Sequence, residues 1–404
     1  MAVDRWLGVV EGGLPGPTMV VVGGIHGNEP SGVLALQRVL AELDSRPGLR
    51  ERLRGRFIAL GGNLGALRQD VRFLDRDLNR SWYPDHLEAL LAQADDEGSP
   101  EDIEQRELLR IFNQLDEAYD HPLVVMDLHS FSAEGPPFSV IADTLRNRPI
   151  ALELRAPIIF GLEEAVQGTL LGYLADRGHI AVGFEAGQHE DPRTVENHAA
   201  AVWIAMVRAG VLERADVPEL RSFEARLEEA ADGLPAAVEL VYRHAIVPED
   251  RFRMDPGFHN FQPVRRGQRL AADGEGHIHS PYAARMLMPL YQGQGEDGFF
   301  LARDLSPRRM QLAAGLRELG VDRLLDYVPG LAHDGDPTQS GGDAVEVYGL
   351  ARQLAERGPI KDALRLMGFR RDLSDGGSMR LTRRRQIESG ARGKRPNARF
   401  GDGD

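Results

Sequence analysis

Thr18-Met-Val-Val-Val-Gly-Gly-Ile-His26-Gly-Asn-Glu29-Pro-Ser31 is the stretch on which the reading of this chain turns. Thr18 to Gly24 is an apolar run bounded by glycines, which reads as a buried strand. Ser31 then opens a segment whose apolar positions 33, 34, 36, 39 and 40 fit one face of a helix. A strand feeding a helix is the unit of an α/β fold. In such folds ligands sit beyond the carboxyl ends of the strands, where His26 and Glu29 stand.

Two further runs end the same way: Leu123-Val-Val-Met-Asp127-Leu-His129 and Ala181-Val-Gly-Phe-Glu185-Ala-Gly187. Two of the three strand ends carry His26, Glu29 and His129, a set of two nitrogens and one carboxylate. Such a set holds zinc and leaves a fourth position open for water, the mark of a catalytic site. One zinc ion per chain is expected. Glu185 is the spare carboxylate that could take a proton from that water. Asp127, two residues before His129 on a strand, should face the same side and either orient a ligand imidazole or bind a substrate group.

Composition bounds the alternatives. The chain has 404 residues, 42% of them hydrophobic, and no cysteine. That excludes a disulfide frame, a thiolate metal site and a cysteine nucleophile. The N-terminus has no basic region followed by an apolar stretch, and no segment approaches a membrane span, so a cytoplasmic protein without a membrane partner is expected. A formal charge of −14 disfavours nucleic acid as the main partner. A homo-oligomer stays open.

Strand runs continue at 138–141, 157–160 and 180–184. Ser99-Pro100-Glu101-Asp102 is a strong helix start, and a helix is expected around 194–209. Together these predict a mixed sheet with helices on both faces over a catalytic domain at 1–210. Residues 211–239 read as a linker or helical segment. From 240 to 303 short apolar runs alternate with turns such as Pro256-Gly257 and Arg266-Gly267, which predicts a small all-β barrel or sandwich domain. Its 264–288 segment resembles the hammerhead sheet of biotinyl and lipoyl carriers. The exposed turn reads Pro281-Tyr-Ala-Ala-Arg285 without a lysine, so a structural role is expected. A helical extension at 304–378 and a disordered basic tail at 379–404 complete the division.

The run Arg68-Gln-Asp-Val-Arg72-Phe-Leu-Asp-Arg76-Asp77-Leu-Asn79-Arg80 places four arginines at intervals of four. Its interleaved acids favour a shaped loop over a solvated helix face. Guanidinium groups bind carboxylates bidentately, so the segment suits an anionic substrate. Arg72 is assigned to polarise the scissile carbonyl, and Asn79 with Arg80 to hold a carboxylate. His277 and His279 share a strand face but lack a third ligand, and His189-Glu190 lacks the second histidine of a metalloprotease helix.

Taken in order, His26-Gly-Asn-Glu29, Asp77-Leu-Asn79-Arg80, Asp127-Leu-His129 and Phe184-Glu185-Ala-Gly resemble the motifs of the aspartoacylase and succinylglutamate desuccinylase family, which is related in fold to zinc carboxypeptidases. The segment Leu287-Met-Pro289-Leu-Tyr-Gln-Gly-Gln-Gly-Glu-Asp-Gly-Phe299 extends the likeness. The resemblance implies a zinc-dependent amidohydrolase acting on N-acyl amino acids, with His26, Glu29 and His129 on the metal and Glu185 as general base. One position departs from it. Aspartoacylases that act on N-acetylaspartate carry an arginine shortly before the catalytic glutamate to bind the second carboxylate. Here Ala175 occupies that place, with Arg177 two residues on. A metallocarboxypeptidase and a catalytically inactive zinc-binding module are the rival readings.

Overall fold

The computed structural model describes residues 3–318, together with 331–333, 342–347, 370–371 and 380–384. Its centre is an eleven-stranded mixed sheet. In chain order the strands are β1 (Trp6–Glu11), β2 (Leu14–Gly23), β3 (Arg54–Gly61), β4 (Val124–Phe131), β5 (Phe138–Ile141), β6 (Ile158–Phe160), β7 (Ile180–Gln188) and β8 (Ala237–Ala245). Next come β9 (Arg253–Met254), β10 (Pro263–Val264), β11 (Arg269–Ala272), β12 (His277–His279), β13 (Ala284–Leu287) and β14 (Asp297–Asp304). The spatial order of the large sheet is β1-β3-β2-β4-β7-β5-β6-β8-β14-β13-β10. Strands β3, β2, β4 and β7 run parallel to one another, so their carboxyl ends share one edge.

Side-chain alternation along these strands builds two cores. Met19 and Val21 on β2, Val124, Met126 and Leu128 on β4, and Val182 and Phe184 on β7 point to one face, covered by the helices Ser31–Ser45 and Pro192–Ala209. Val20, Val22 and Val125 point to the other, covered by Pro100–Ala118 and Leu170–Asp176. Helices therefore lie on both faces, as the sequence predicts. The helix beginning at Pro100 starts with the expected Ser99 cap, reciprocated by Asp102. On the first helix Leu34 turns to solvent and Ala35 packs inward, because the buried stripe follows Val33, Leu36, Val39 and Leu43.

Two expectations for the second half are corrected. Of the two readings for residues 211–239 the helical one holds, and Val211, Leu212, Val217, Leu220 and Leu227 belong to the main core. The charge-rich composition belongs to the outer face of the helix Leu220–Ala230, whose inner face is apolar. The β-rich segment is not a separate barrel. Strands β8, β14, β13 and β10 extend the large sheet, while β12, β11 and β9 form a three-stranded sheet stacked on it through Met254, Leu270, Met286 and Phe299. Among the described residues the expected helical extension is seen at Pro307–Glu318. Beyond it the described residues are strands, Leu331–His333, Gly342–Val347, Arg370–Arg371 and Arg380–Arg384, in a four-stranded antiparallel sheet. Part of the expected disordered tail is thus strand, paired with a partner distant in sequence that a local reading does not reveal; residues 385–404 lie outside the described residues.

Candidate active site

His26 and Glu29 occupy the turn between β2 and its helix. Gly24 takes a left-handed φ of 75° there. Gly27 lies so close to the 64–69 helix that a Cβ would stand 2.1 Å from the Ala66 carbonyl carbon. His129 is near the end of β4, and Glu185 is its register partner on the parallel strand β7. Val125, Asp127 and His129 share one face of β4 by strand alternation, so both polar side chains are carried to the cavity side of the sheet.

The three sites meet as the spacing suggested. His26, Glu29 and His129 are all buried, and one donor atom from each lies within 4.8 Å of the others. Nδ1 of His26 is 2.8 Å from Oε1 of Glu29, and Nδ1 of His129 is 3.1 Å from Oε2. The remaining ring nitrogens face aspartates: Nε2 of His26 lies 3.1 Å from Asp77 Oδ1, and Nε2 of His129 lies 2.9 Å from Asp127 Oδ2. The second of these is an ion-pair approach without hydrogen-bond alignment. An imidazole fixed from behind by a carboxylate is the usual support of a metal-binding histidine. The Ser130 N–H donates to Glu29 Oε2 at 3.0 Å and fixes the carboxylate as well.

Glu29, Asp77 and Asp127 surround the imidazoles, with the Arg72 guanidinium among them. Burial works against ionisation of Glu29, yet His26 and His129 outweigh it and hold the carboxyl well below the usual range. Asp77 is likewise held low against its burial, by Arg72 and His26. Burial opposes the charging of His129, but Asp127 and Glu29 hold it well above an ordinary imidazole. Glu185 behaves oppositely: burial pushes it up to about 8. Its Oε2 is shielded and accepts no hydrogen bond. The donor set and its aspartate backing suit a divalent metal with nitrogen and oxygen ligands.

The basic run forms a shaped loop, not a helix face. Glu101, fully buried on the Pro100–Ala118 helix, accepts from the backbone N–H groups of Leu74 (2.7 Å), Asp75 (3.0 Å) and Arg76 (3.4 Å), which aims the following turn at the site. Arg72 donates through Nε and Nη2 to Asp77 Oδ2 at 3.1 and 2.9 Å, with Nη1 3.4 Å from Glu29. Asn79 and Arg80 line the cavity with Arg72. Arg80 donates to the Asn79 carbonyl at 3.0 Å and approaches Asp297 at 3.4 Å and Glu296 at 3.7 Å. Asp127 does not reach the cavity. Fully buried behind His129, it lies where the first of its two expected roles, orienting that ring, would place it. Arg177 does not enter the cavity either: it lies over Tyr173 and pairs with Asp116, its Nε donating at 3.0 Å.

Several residues of the site and its cavity escaped the sequence reading. Asp77, legible only as part of its motif, backs His26. Glu163, Leu171, Met288, Gln292 and Asp297 come from distant segments. Residues 288–296 cross the mouth of the cavity. Gln292 Oε1 accepts from Asn28 Nδ2 at 2.8 Å and sits 2.9 Å from His189 Nε2, while Gln294 Oε1 accepts the Arg72 N–H at 3.1 Å. Their signal was the 287–299 segment, whose contacts no local pattern reveals. His277 and His279 stay on the surface of β12. Among the described residues the only metal-competent group is His26, Glu29 and His129.

Residues 15–209 match the model of the succinylglutamate desuccinylase/aspartoacylase catalytic domain. No curated protein matches the chain. Solved structures share the fold. The succinylglutamate desuccinylase/aspartoacylase of Rhodobacter sphaeroides matches at TM-score 0.53 and 19% identity, over 74% of this chain and 88% of that one. The product-bound ectoine utilization protein EutE (DoeB) of Ruegeria pomeroyi matches at 0.51 and 20%, over 73% and 87%. The succinylglutamate desuccinylase of Vibrio parahaemolyticus matches at 0.51 and 14%, over 72% and 82%. Four ordered motifs that converge on one cavity lie in or beside the stretch, residues 15–209, that is similar to the succinylglutamate desuccinylase/aspartoacylase catalytic domain.

Proposed function

We propose that the protein is a zinc-dependent deacylase that hydrolyses the amide of an N-acyl amino acid or a similar small carboxylate. The observation that carries this is the pairing of a buried His26-Glu29-His129 donor set with Glu185, a carboxylate with a shielded, unbonded oxygen on the adjacent strand. His26, Glu29 and His129 would hold one zinc ion per chain. When bound, the ion would polarise the amide carbonyl and lower the pKa of a nearby water toward about 7. Glu185 takes the water proton at Oε2 as the water oxygen adds to the carbonyl carbon. It then returns the proton to the nitrogen as the carbon–nitrogen bond breaks, giving a carboxylate and an amine. Arg72, held by Asp77, stabilises the charge that develops on the carbonyl oxygen. Asn79 and Arg80 hold the substrate carboxylate, Arg80 exchanging its long contacts to Asp297 and Glu296 for a bidentate one.

Two rivals are less well supported. A carboxypeptidase needs a mouth open to a polypeptide, and residues 288–296 are tethered across this one. A non-catalytic zinc-binding module has no use for Glu185 in its present setting. No described helix is long and apolar enough to cross a membrane.

Metal analysis of the purified protein, with a hydrolysis screen of N-acyl amino acids, their carboxamides and C-terminal peptides, tests the reading. Zinc near one per chain and chelator-sensitive release of amino acid from free-acid substrates are expected. Peptide cleavage without deacylation would displace it.

A further inference from the structure

The cavity beside the donor set is about 140 Å³ and its far wall is apolar. Val140 from β5, Leu162 and Val166 from the turn after β6, Leu171 from the 170–176 helix and Phe300 from β14 line it, all buried. Gly183 of β7 closes the wall without a side chain. A Cβ there would stand 2.8 Å from Leu171 Cδ1, so Leu171 packs directly on the strand and leaves no room for a charged group between them.

Charge at this end points the same way. Among the described lining residues the cations are Arg72 and Arg80. Arg72 is held by Asp77, and Arg80 is the residue assigned to a single carboxylate. The other charged lining residues at this end are acids: Glu163, to which Thr169 Oγ1 donates, Glu296, and Asp297, which Arg243 holds at 2.6 Å from outside the lining. Arg177, the nearest arginine to the position where a second carboxylate would be read, is engaged with Asp116 outside the cavity. A second anionic group on the substrate would lose its hydration against an apolar wall and face acids.

Resting on the deacylase reading, we propose that this site selects N-acyl amino acids whose only carboxylate is the one at Arg80. The remaining group, either the acyl chain or the side chain, is uncharged and apolar and packs on Val140, Leu162, Val166, Leu171 and Phe300. Dicarboxylic substrates, whether succinyl amides or N-acyl aspartate and glutamate, are poor ones.

The test is a kcat/KM panel on the zinc-loaded wild-type protein. One arm varies the side chain, with N-acetyl-leucine, N-acetyl-phenylalanine, N-acetyl-aspartate, N-acetyl-glutamate and N-acetyl-lysine. The other varies the acyl group on one amino acid, with acetyl, butanoyl, hexanoyl and succinyl. In at least one arm the apolar member should exceed the dicarboxylic member by 10-fold or more. In the arm that uses the wall, each added methylene should raise kcat/KM by roughly fourfold until the wall is filled. Leu171→Arg should narrow or reverse the preference by supplying the absent cation; if that variant does not fold, the wild-type panel decides alone. Equal or better turnover of the aspartate, glutamate or succinyl substrates overturns the selectivity and leaves the deacylase reading standing, and lysine as the best side chain overturns it too. If no member is hydrolysed the deacylase reading falls, and calorimetric binding to the same zinc-loaded protein still decides the selectivity. Tighter binding of hexanoate than succinate, or of N-acetyl-leucine than N-acetyl-aspartate, supports it, and the reverse order or no binding overturns it.

Discussion

Glu185 stands directly beside His129 across the parallel pairing of β7 with β4, so a base and a metal-competent imidazole separated by more than fifty residues in sequence are held in one sheet register. A one-residue slip would turn one of them to the opposite face. Their relative position is therefore set by backbone hydrogen bonds and does not depend on a mobile loop.

Glu185→Gln should keep zinc at the wild-type level and lose about 10²-fold or more in kcat, because glutamine preserves the shape but accepts no proton. Metal content and steady-state kinetics on the same preparation check this. Near-normal turnover would remove Glu185 as the base.

His129→Ala should lose zinc outright, whereas Asp127→Asn should retain the site with about 10-fold to 100-fold weaker affinity, as expected for a group that orients a ligand ring from behind. His129 is held well above the ordinary imidazole range in the metal-free protein. Zinc must then displace a proton from it, and apparent affinity should rise with pH. Calorimetry in buffers of different ionisation enthalpy reads the proton directly. Binding without proton release, or unchanged affinity in Asp127→Asn, would contradict the assignment.

Glu101→Ala leaves three backbone N–H groups at 74–76 without their buried acceptor. A loss of roughly 3 kcal/mol or more is expected in urea denaturation. The chain that carries Arg72, Asp77 and Arg80 should loosen with it, lowering kcat/KM although Glu101 lines no part of the cavity. Wild-type stability in this variant would show that the loop is held by other contacts.

His198 is fully buried beside Phe184, and burial pushes its imidazole down to about 3. A folded-state pKa below the unfolded value of about 6.5 means that the unfolded chain takes up the proton first. The stability held above pH 6.5 should fall as pH drops from there toward 3, with a slope approaching about 1.4 kcal/mol per pH unit from this one group. In His198→Leu the slope in that window should be shallower. Denaturation curves at pH 7, 5.5 and 4.5 compare the two proteins, and parallel loss would assign the acid sensitivity elsewhere.

The sequence alone determined the alternation of strand and helix through residue 210 and the identity of the metal-competent residues, because both rest on short-range regularities. Apolar runs of four to eight residues bounded by glycine are buried strands wherever they pair, and a polar residue at the end of such a run must emerge at the sheet edge. The ordered motifs around His26, Arg80, His129 and Glu185 are likewise contiguous in the chain and could be read one at a time. Tertiary structure decided what those residues face. Asp127 and Asp77 back the imidazoles, where sequence left one between two roles and the other without a role. Arg177 lies outside the cavity because its helix turns it toward Asp116. The apolar wall and the roof at 288–296 draw on β5, the 170–176 helix and β14, segments brought together only by sheet order. The same cause extended the large sheet through β8, β14, β13 and β10, where turn spacing alone suggested a separate barrel. Strand pairing is a long-range interaction, and a local pattern specifies that a strand exists without specifying its neighbour.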